Sequence, residues 1–330
     1  MGVPFFSGAD VRRAVSPLEA YEAVGKAFVA FARGEWTMQP KLYVTNYPAG
    51  DFRAMPALGG GHALLKWVTS FPGNPARGLP TVTGLVLLSN AETGVLEAVL
   101  DAGAVTSLRT GAAAVLAATT LGAGGSISVV GCGVNGRAAA QTLAALGLAV
   151  SVWDVDGARA AVVADEVGAT VAVSREEALA SDIVVTVTPG KEIVFPAGSL
   201  HPGQHVSLMG ADGPGKAEIA VEEIARAHVF CDDWEKSEPE GIPDPRVHLF
   251  VDDWEQASHG GEIARAVEAG TITRKHVTEL GNVLAGKAGG RRSPNDITLF
   301  DSTGLAIQDL AIAKVALSNS DELDLQTFDL

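Results

Sequence analysis

An α/β fold built on a doubly wound parallel sheet is predicted by three observations. Short apolar strands alternate with helical stretches across roughly residues 122–290. A glycine triplet stands at the first strand-to-helix junction of that region, in VVGCGVNG. Ahead of it, residues 40–101 read mainly as strands joined by turns, which makes a separate α+β portion.

The elements follow in order. Residues 10–34 carry Val11, Val15, Leu18, Val24, Phe28 and Phe31 at near-helical spacing and read as one helix stopped at Gly34. Over residues 40–70, PKLYVTNY, DFRAMPAL and ALLKWVTSF read as short strands, and FPGNPARGLP as a loop dense in Pro and Gly. TVTGLVLLSN and VLEAVLD read as a hairpin of buried strands turned at NAETG, and RTGAAAVLAATTLGA as a helix of small residues. Then SISVVG, AVSVWD, TVAVS, DIVVTVTPG and HVSLMGADG read as strands, with helices at RAAAQTLAALG, ARAAVVADEVG and 175–181 between them. The last segment, ITLFDSTGLAIQDLAIAKVALSN, reads as a strand, a turn and an apolar helix that needs a packing partner.

Composition narrows the partners. Against 24 basic residues stand 39 acidic ones, a net charge of −15, which argues against nucleic acid or an anionic membrane. No unbroken apolar run reaches membrane-spanning length, and MGVPFFSGADVRR has no signal-peptide pattern, so a cytoplasmic protein is expected. Cys132 and Cys231 lack metal-ligand spacing and read as small buried apolar groups, so no metal is expected. HVFCDDWE (228–235) and HLFVDDWE (248–255) repeat each other at an offset of 20; they read as a local duplication giving two edge strands rather than an acidic metal site.

VVGCGVNG places Gly131, Gly133 and Gly136 in a full G-x-G-x-x-G after a strand and before a helix. Such glycines allow a tight turn, backbone approach to a pyrophosphate, and close packing of helix on strand; the helix N-terminus then offers free N–H groups. Asp154 closes the next strand, where its carboxylate accepts from ribose hydroxyls and repels a 2′-phosphate, so NAD is favoured over NADP. A Rossmann-type domain follows. Four cations, Lys41, Arg53, Lys66 and Arg109, lie in apolar or turn-like text. Any one alone reads as a surface cation with a buried stem. Four in so acidic a chain suggest a converging anion site, with Arg suited to a carboxylate and Lys to acid–base work. In GADGPGK (210–216) the lone carboxylate Asp212 sits in glycine-rich backbone at the end of HVSLM.

Together PKLYV, FRAMP, LLKWVTSFPGNPARGLPTV, SLRTGAA, GCGVNG, GADGPGK, DDWEQASHGGEI and ITLFDSTGLAIQD resemble the ornithine cyclodeaminase/μ-crystallin family, most of all its archaeal-type alanine dehydrogenase branch. The resemblance implies a homodimer whose substrate-binding and dimerisation domain is residues 1–119 with 298–330, and an NAD-binding domain over 120–297. It implies substrate contacts from Lys41, Arg53, Lys66 and Thr303, and catalysis by Asp212 and Lys66. Thr81, Arg109, Val134, Asn135, Thr188, Met209 and Lys216 would line the cofactor with the three glycines and Asp154. The implied activity is hydride transfer at the α-carbon of a small amino acid or imine. The alternatives are a cyclodeaminase that regenerates NAD and a non-catalytic small-molecule binder. Two departures bear on this. Arg53 stands where ornithine cyclodeaminases carry Glu, which disfavours a diamine, and the first DDWE copy with EKSEPEGIPDPR reads as an insertion.

Overall fold

The computed structural model describes residues 2–211, 213, 215–226 and 247–329. The chain divides into two compact units, Met1–Arg109 with Leu305–Leu330, and Thr110–Gly304. In chain order the first unit holds β1 (Val3–Phe6), α1 (Gly8–Ala14), α2 (Pro17–Ala32), β2 (Thr37–Met38), β3 (Leu42–Asn46), β4 (Gly50–Gly59), β5 (His62–Ser70), β6 (Val82–Asn90) and β7 (Leu96–Asp101). Helix α3 (Ala102–Leu121) carries the chain into the second unit. There follow β8 (Ile127–Val130), α4 (Val134–Ala145), β9 (Ser151–Trp153), α5 (Gly157–Val167), β10 (Thr170–Val171), α6 (Arg175–Leu179), β11 (Ile183–Thr186), β12 (His205–Leu208) and α7 (Val221–Ala225). Next come β13 (Val247–Val251), α8 (Trp254–Gly260), α9 (Ala264–Glu268), β14 (Val277–Glu279), α10 (Leu280–Leu284) and β15 (Ile297–Asp301). The chain then re-enters the first unit as α11 (Ala306–Ser318) and β16 (Gln326–Phe328).

The single helix expected over 10–34 is two helices. Ser7 caps α1 and Ser16 caps α2, each in a reciprocal box with the acidic residue three positions on, Asp10 and Glu19. Pro17 at the first turn of α2 has no N–H to continue α1, so the chain restarts there. The small-residue helix begins earlier than its sequence suggests, because Asp101 accepts the Ala104 N–H at 2.7 Å and caps α3 at the end of β7. By length and hydropathy α3 matches a membrane span, but most of it is buried inside the protein.

The first sheet runs β16-β1-β7-β6-β5-β4-β2, with β3 also on β4. Its long strands are antiparallel, so alternate residues face opposite sides. On β5 the inner face buries Leu64, Lys66 and Val68, while Leu65 and Trp67 point outward and exposed. The hairpin strand β6 is likewise exposed on one face rather than buried on both, since an antiparallel sheet needs cover on only one side. The apolar last helix finds its partner on the inner face: α11 packs on α2, β4 and β5.

The second sheet is parallel throughout, in the order β10-β9-β8-β11-β12-β15-β13-β14. The chain winds outward from β8 through β9 and β10, then restarts at β11 in the other direction. That makes the carboxyl ends of β8 and β11 the switch point where doubly wound sheets bind ligands. Strand β15 differs from expectation. It pairs with β12 and β13 and so stays with the second unit, which runs to Gly304 rather than to 297. The second copy of the repeat is also no edge strand: β13 lies between β15 and β14, and Asp253 of DDWE caps α8 by accepting the Gln256 N–H. The first copy, with Cys231, lies outside the described residues.

Candidate active site

Three of the four singled-out cations meet on the inner face of the first sheet. Lys66, on β5, is 1% exposed and donates to Asp309 Oδ1 of α11 at 2.8 Å and to Thr106 Oγ1 of α3 at 2.7 Å. Arg109, one turn along α3, has Nε 3.6 Å from the same Asp309 oxygen and donates through Nη1 to Gln308 Oε1 at 3.4 Å. Arg53, two residues beyond Asp51 on one face of β4, grips that carboxylate through Nε at 2.6 Å and Nη2 at 3.3 Å, and its guanidinium lies over the Tyr43 ring. Lys41 stands half-buried just before β3. Thr81 sits in the bend before β6, where its carbonyl accepts the Phe71 N–H. Arg109, expected along the cofactor, stands beside Lys66.

The cluster's charge does not cancel. In the ion pairs among the described residues, Lys66, Arg53 and Arg109 give three positive charges against Asp51 and Asp309, a surplus of one. Burial pulls the Lys66 ammonium from its ordinary 10.5 down to about 8; Asp309 opposes the shift, and Arg109 and Arg53 add to it. Polar atoms are also left over. Among the described residues, Asp309 Oδ2, Arg109 Nε and Gln308 Nε2 are buried with no hydrogen-bond partner.

In the second unit the predicted dinucleotide residues sit at the switch point. Gly131 turns the chain out of β8 at φ +99°, and a Cβ there would lie 2.5 Å from the Val187 carbonyl oxygen. A Cβ at Gly136 would lie 1.8 Å from the Gly131 carbonyl oxygen, so only glycine lets α4 approach β8 this closely. Gly133, Val134 and Asn135 open α4; a Cβ on Gly133 would meet nothing, no side chain caps the helix, and Val134 is exposed. An uncapped helix start in open space is a cradle for a diphosphate, and the residues fit a dinucleotide. Asp154 closes β9, held by the Cys132 N–H at 2.7 Å and the Asp156 N–H at 2.8 Å, with the Arg159 guanidinium 3.4 Å away. Cys132 is buried, as expected; burial and the Asp154 carboxylate push its thiol up to about 11, so it stays protonated.

The remaining positions lie at neighbouring strand ends. Thr188 follows β11, and Met209 follows β12 with its N–H on the Thr186 carbonyl. Lys216 is half-buried near Gly190. Asp212 lies outside the described residues. Thr303, in the turn after β15, donates through its backbone to Asp252 Oδ2 at 2.7 Å, joined there by Gly304 N and Ser302 Oγ. Among the described residues no group of acidic, His or Cys side chains is arranged to hold a metal.

Sequence reasoning missed most of the carboxylates that organise these sites. Asp154 was read, and Asp309 was missed although it carries a signal, a lone acid in the apolar stretch LAIQDLAIA. Asp252 lies in the DDWE repeat and Asp301 closes the apolar ITLFD, while Glu218 and Glu262 lie between elements with no local signal. Burial raises the Glu262 carboxyl to about 9 and the Asp301 carboxyl to about 8, with neighbouring carboxylates adding to both shifts.

The profile of the ornithine cyclodeaminase/mu-crystallin family matches residues 5–243 and 245–322. The chain belongs to that family. Among its members, the alanine dehydrogenase of Archaeoglobus fulgidus is 40% identical over 326 residues, covering 94% of this chain and 93% of that protein. A solved archaeal alanine dehydrogenase dimer with bound NAD superposes with a TM-score of 0.88 at 38% identity, covering all of both chains. The Δ1-pyrroline-2-carboxylate reductase of Thermococcus litoralis, solved with NADH and L-proline, superposes at 0.85 with 26% identity, covering 99% of this chain and 100% of that one.

The Lys66 shift has a measurable sign. The unfolded chain keeps this proton up to its ordinary 10.5, the folded chain only up to about 8. Between those values the unfolded state binds more protons, so Lys66 makes stability rise with pH, by up to about 1.4 kcal/mol per pH unit. Below pH 8 the burial penalty is fully present. Urea denaturation from pH 7.5 to 10.5 should therefore show a shallower rise for Lys66→Met than for wild type; parallel curves would contradict the shift.

Proposed function

We propose that this chain is an NAD(H)-dependent oxidoreductase acting on the C–N bond of a small amino acid or its imine, with alanine and pyruvate plus ammonium as the first pair to test. The observation that carries the reading is the buried Lys66–Arg53–Arg109 cluster, whose single surplus positive charge calls for an anion such as a substrate carboxylate. Its unpartnered donors and acceptor are the kinds of group an amino acid complements. Arg53, held at a fixed angle by Asp51, takes the carboxylate together with Lys41. Lys66, with an ammonium near 8, gives or takes a proton close to neutral pH. Asp212, assigned on sequence alone, shuttles a proton or activates the water that opens the imine. When bound, the cofactor supplies the hydride acceptor or donor at the α-carbon. Asp154 favours NAD over NADP, the glycine loop takes the diphosphate, Thr188, Met209 and Lys216 line the cofactor, and Thr303 contacts the substrate.

The active unit is a homodimer. The outer face of the first sheet carries Leu42, Val44, Leu58, Leu65, Trp67 and Leu85, all exposed and facing one way by strand register. A contiguous apolar face of this kind needs cover, and the superposed archaeal relative is itself described as a dimer. A second copy of this chain is the occupant.

Absorbance at the NADH wavelength distinguishes the chemistry. Pyruvate with ammonium or methylamine, or a cyclic imino acid, should consume NADH. Ammonia release from a diamine with no net absorbance change would instead indicate a cyclodeaminase, and no change with any of these would sink the oxidoreductase reading. Asp212→Asn should lower turnover about 100-fold with NADH affinity nearly intact; undiminished turnover would remove Asp212 from the mechanism. Trp67→Glu should convert a dimer to a monomer by light scattering, and a wild-type chain that is monomeric at micromolar concentration would overturn the assembly.

A further inference from the structure

Glu218 is fully buried in the second unit, eight residues beyond Gly210, and the mechanism above does not use it. Its carboxylate gathers three donors from the ends of two neighbouring strands. Oε1 accepts the Thr188 N–H at 2.7 Å, and Oε2 accepts the Thr186 hydroxyl and the Gly210 N–H, both at 2.8 Å. The chain around Glu218 is held in turn: its N–H donates to Glu262 Oε1 at 2.7 Å, and its carbonyl accepts from Val194 and Phe195. The grip is close, since a Cβ on Gly210 would stand 2.7 Å from Glu218 Oε1.

A buried carboxylate is a costly way to fill a core, and an apolar side chain would do as well if packing were all that was needed. What the carboxylate adds is a link between two loops. Thr188 and Gly210 each lie two residues past their strands, β11 and β12. A doubly wound sheet binds one nucleotide on each side of its switch point. Here Asp154 at the end of β9 marks the adenosine side, so the ends of β11 and β12 lie under the nicotinamide side. Burial raises the Glu218 carboxyl, and its hydrogen bonds from Thr188, Thr186 and Gly210 oppose that shift, so the grip favours the charged form.

We propose that Glu218 is a positioning residue for the nicotinamide end of the cofactor, clamping the loops after β11 and β12 into the single geometry that receives that ring. This rests on the dinucleotide reading given above. Substituting Glu218→Gln keeps the shape but turns one acceptor into an NH₂ group facing an N–H, so one side of the clamp is lost.

The test compares two probes on the whole protein, NADH and ADP-ribose, which lacks the nicotinamide. Calorimetry should show Glu218→Gln weakening NADH about tenfold while ADP-ribose changes less than about twofold, as expected for one buried hydrogen-bonding group left unmatched. Thr186→Val, which removes only one donor to Oε2 and preserves volume, should shift the same ratio in the same direction by less; it carries the test if the Gln variant does not fold. Equal losses for both probes would reveal a general structural role and overturn the proposal. An unchanged ratio, or a wild type that gains nothing from the nicotinamide, overturns it as well. Failure of the oxidoreductase reading shows separately, as wild type that binds NADH but turns over no substrate, or binds no dinucleotide at all.

Discussion

Burying Lys66 against Asp309 is the constraint on which the first unit turns. Two charges taken out of water on the inner face of a sheet cost several kcal/mol each unless they meet in good geometry, and removing one partner leaves the other stranded. The partners are 243 residues apart in sequence, so the pair is satisfied only when α11 returns across the sheet with its polar edge at Asp309. That return closes the unit. Helix α11 covers β4, β5 and α2, and β16 beyond it adds to the edge at β1. The same carboxylate then has a second cation, Arg109, at its side, and the pair becomes part of a cluster with positive charge to spare.

The second unit solves the reverse problem. Its strand ends are rich in turns whose backbone N–H groups have no partner in the sheet, and carboxylates take them up. Asp154 holds the turn after β8 together with its own, Glu218 joins the turns after β11 and β12, and Asp252 wraps the turn after β15. Each accepts two or more N–H groups, and at Glu218 these donors oppose desolvation, which still raises its carboxyl above the ordinary range. Asp301 marks the limit of the device. Among the described residues its Oδ1 has no partner and Asp252 lies close by, so desolvation raises it to about 8.

How legible this was depended on the range of the interaction. The parallel sheet announced itself through local signals, since period, turn residues and the glycine triplet all act within one strand–helix step. The break at Ser16–Pro17 was equally local and readable, because a serine followed by proline and then Glu19 is an N-terminus. The apolar spacing through Val15 and Leu18 concealed it by continuing across the gap. Strand β15 could not be placed from its own residues: ITLFD suits any buried strand, and only pairing with β12 and β13 assigns it. The cations of the site stood out because they were rare and set in apolar text. Glu218 and Glu262 did not, because they are ordinary acids in polar stretches, and only burial distinguishes them.

The contrast between the chain's net charge of −15 and its cationic cluster then has a physical resolution. Charges spread over the surface act through water and salt, which screen them beyond about 8 Å at physiological ionic strength. An anion is therefore governed by what it meets at close range. To hold one, the positive surplus must lie where neither water nor salt reaches, and a buried ammonium is the kind of group that would otherwise shed its proton. Asp309 opposes the burial that lowers the Lys66 ammonium, while Arg109 and Arg53 supply the surplus that Asp309 and Asp51 do not cancel. The acid on α11 is thus what permits a basic site to exist inside an acidic protein.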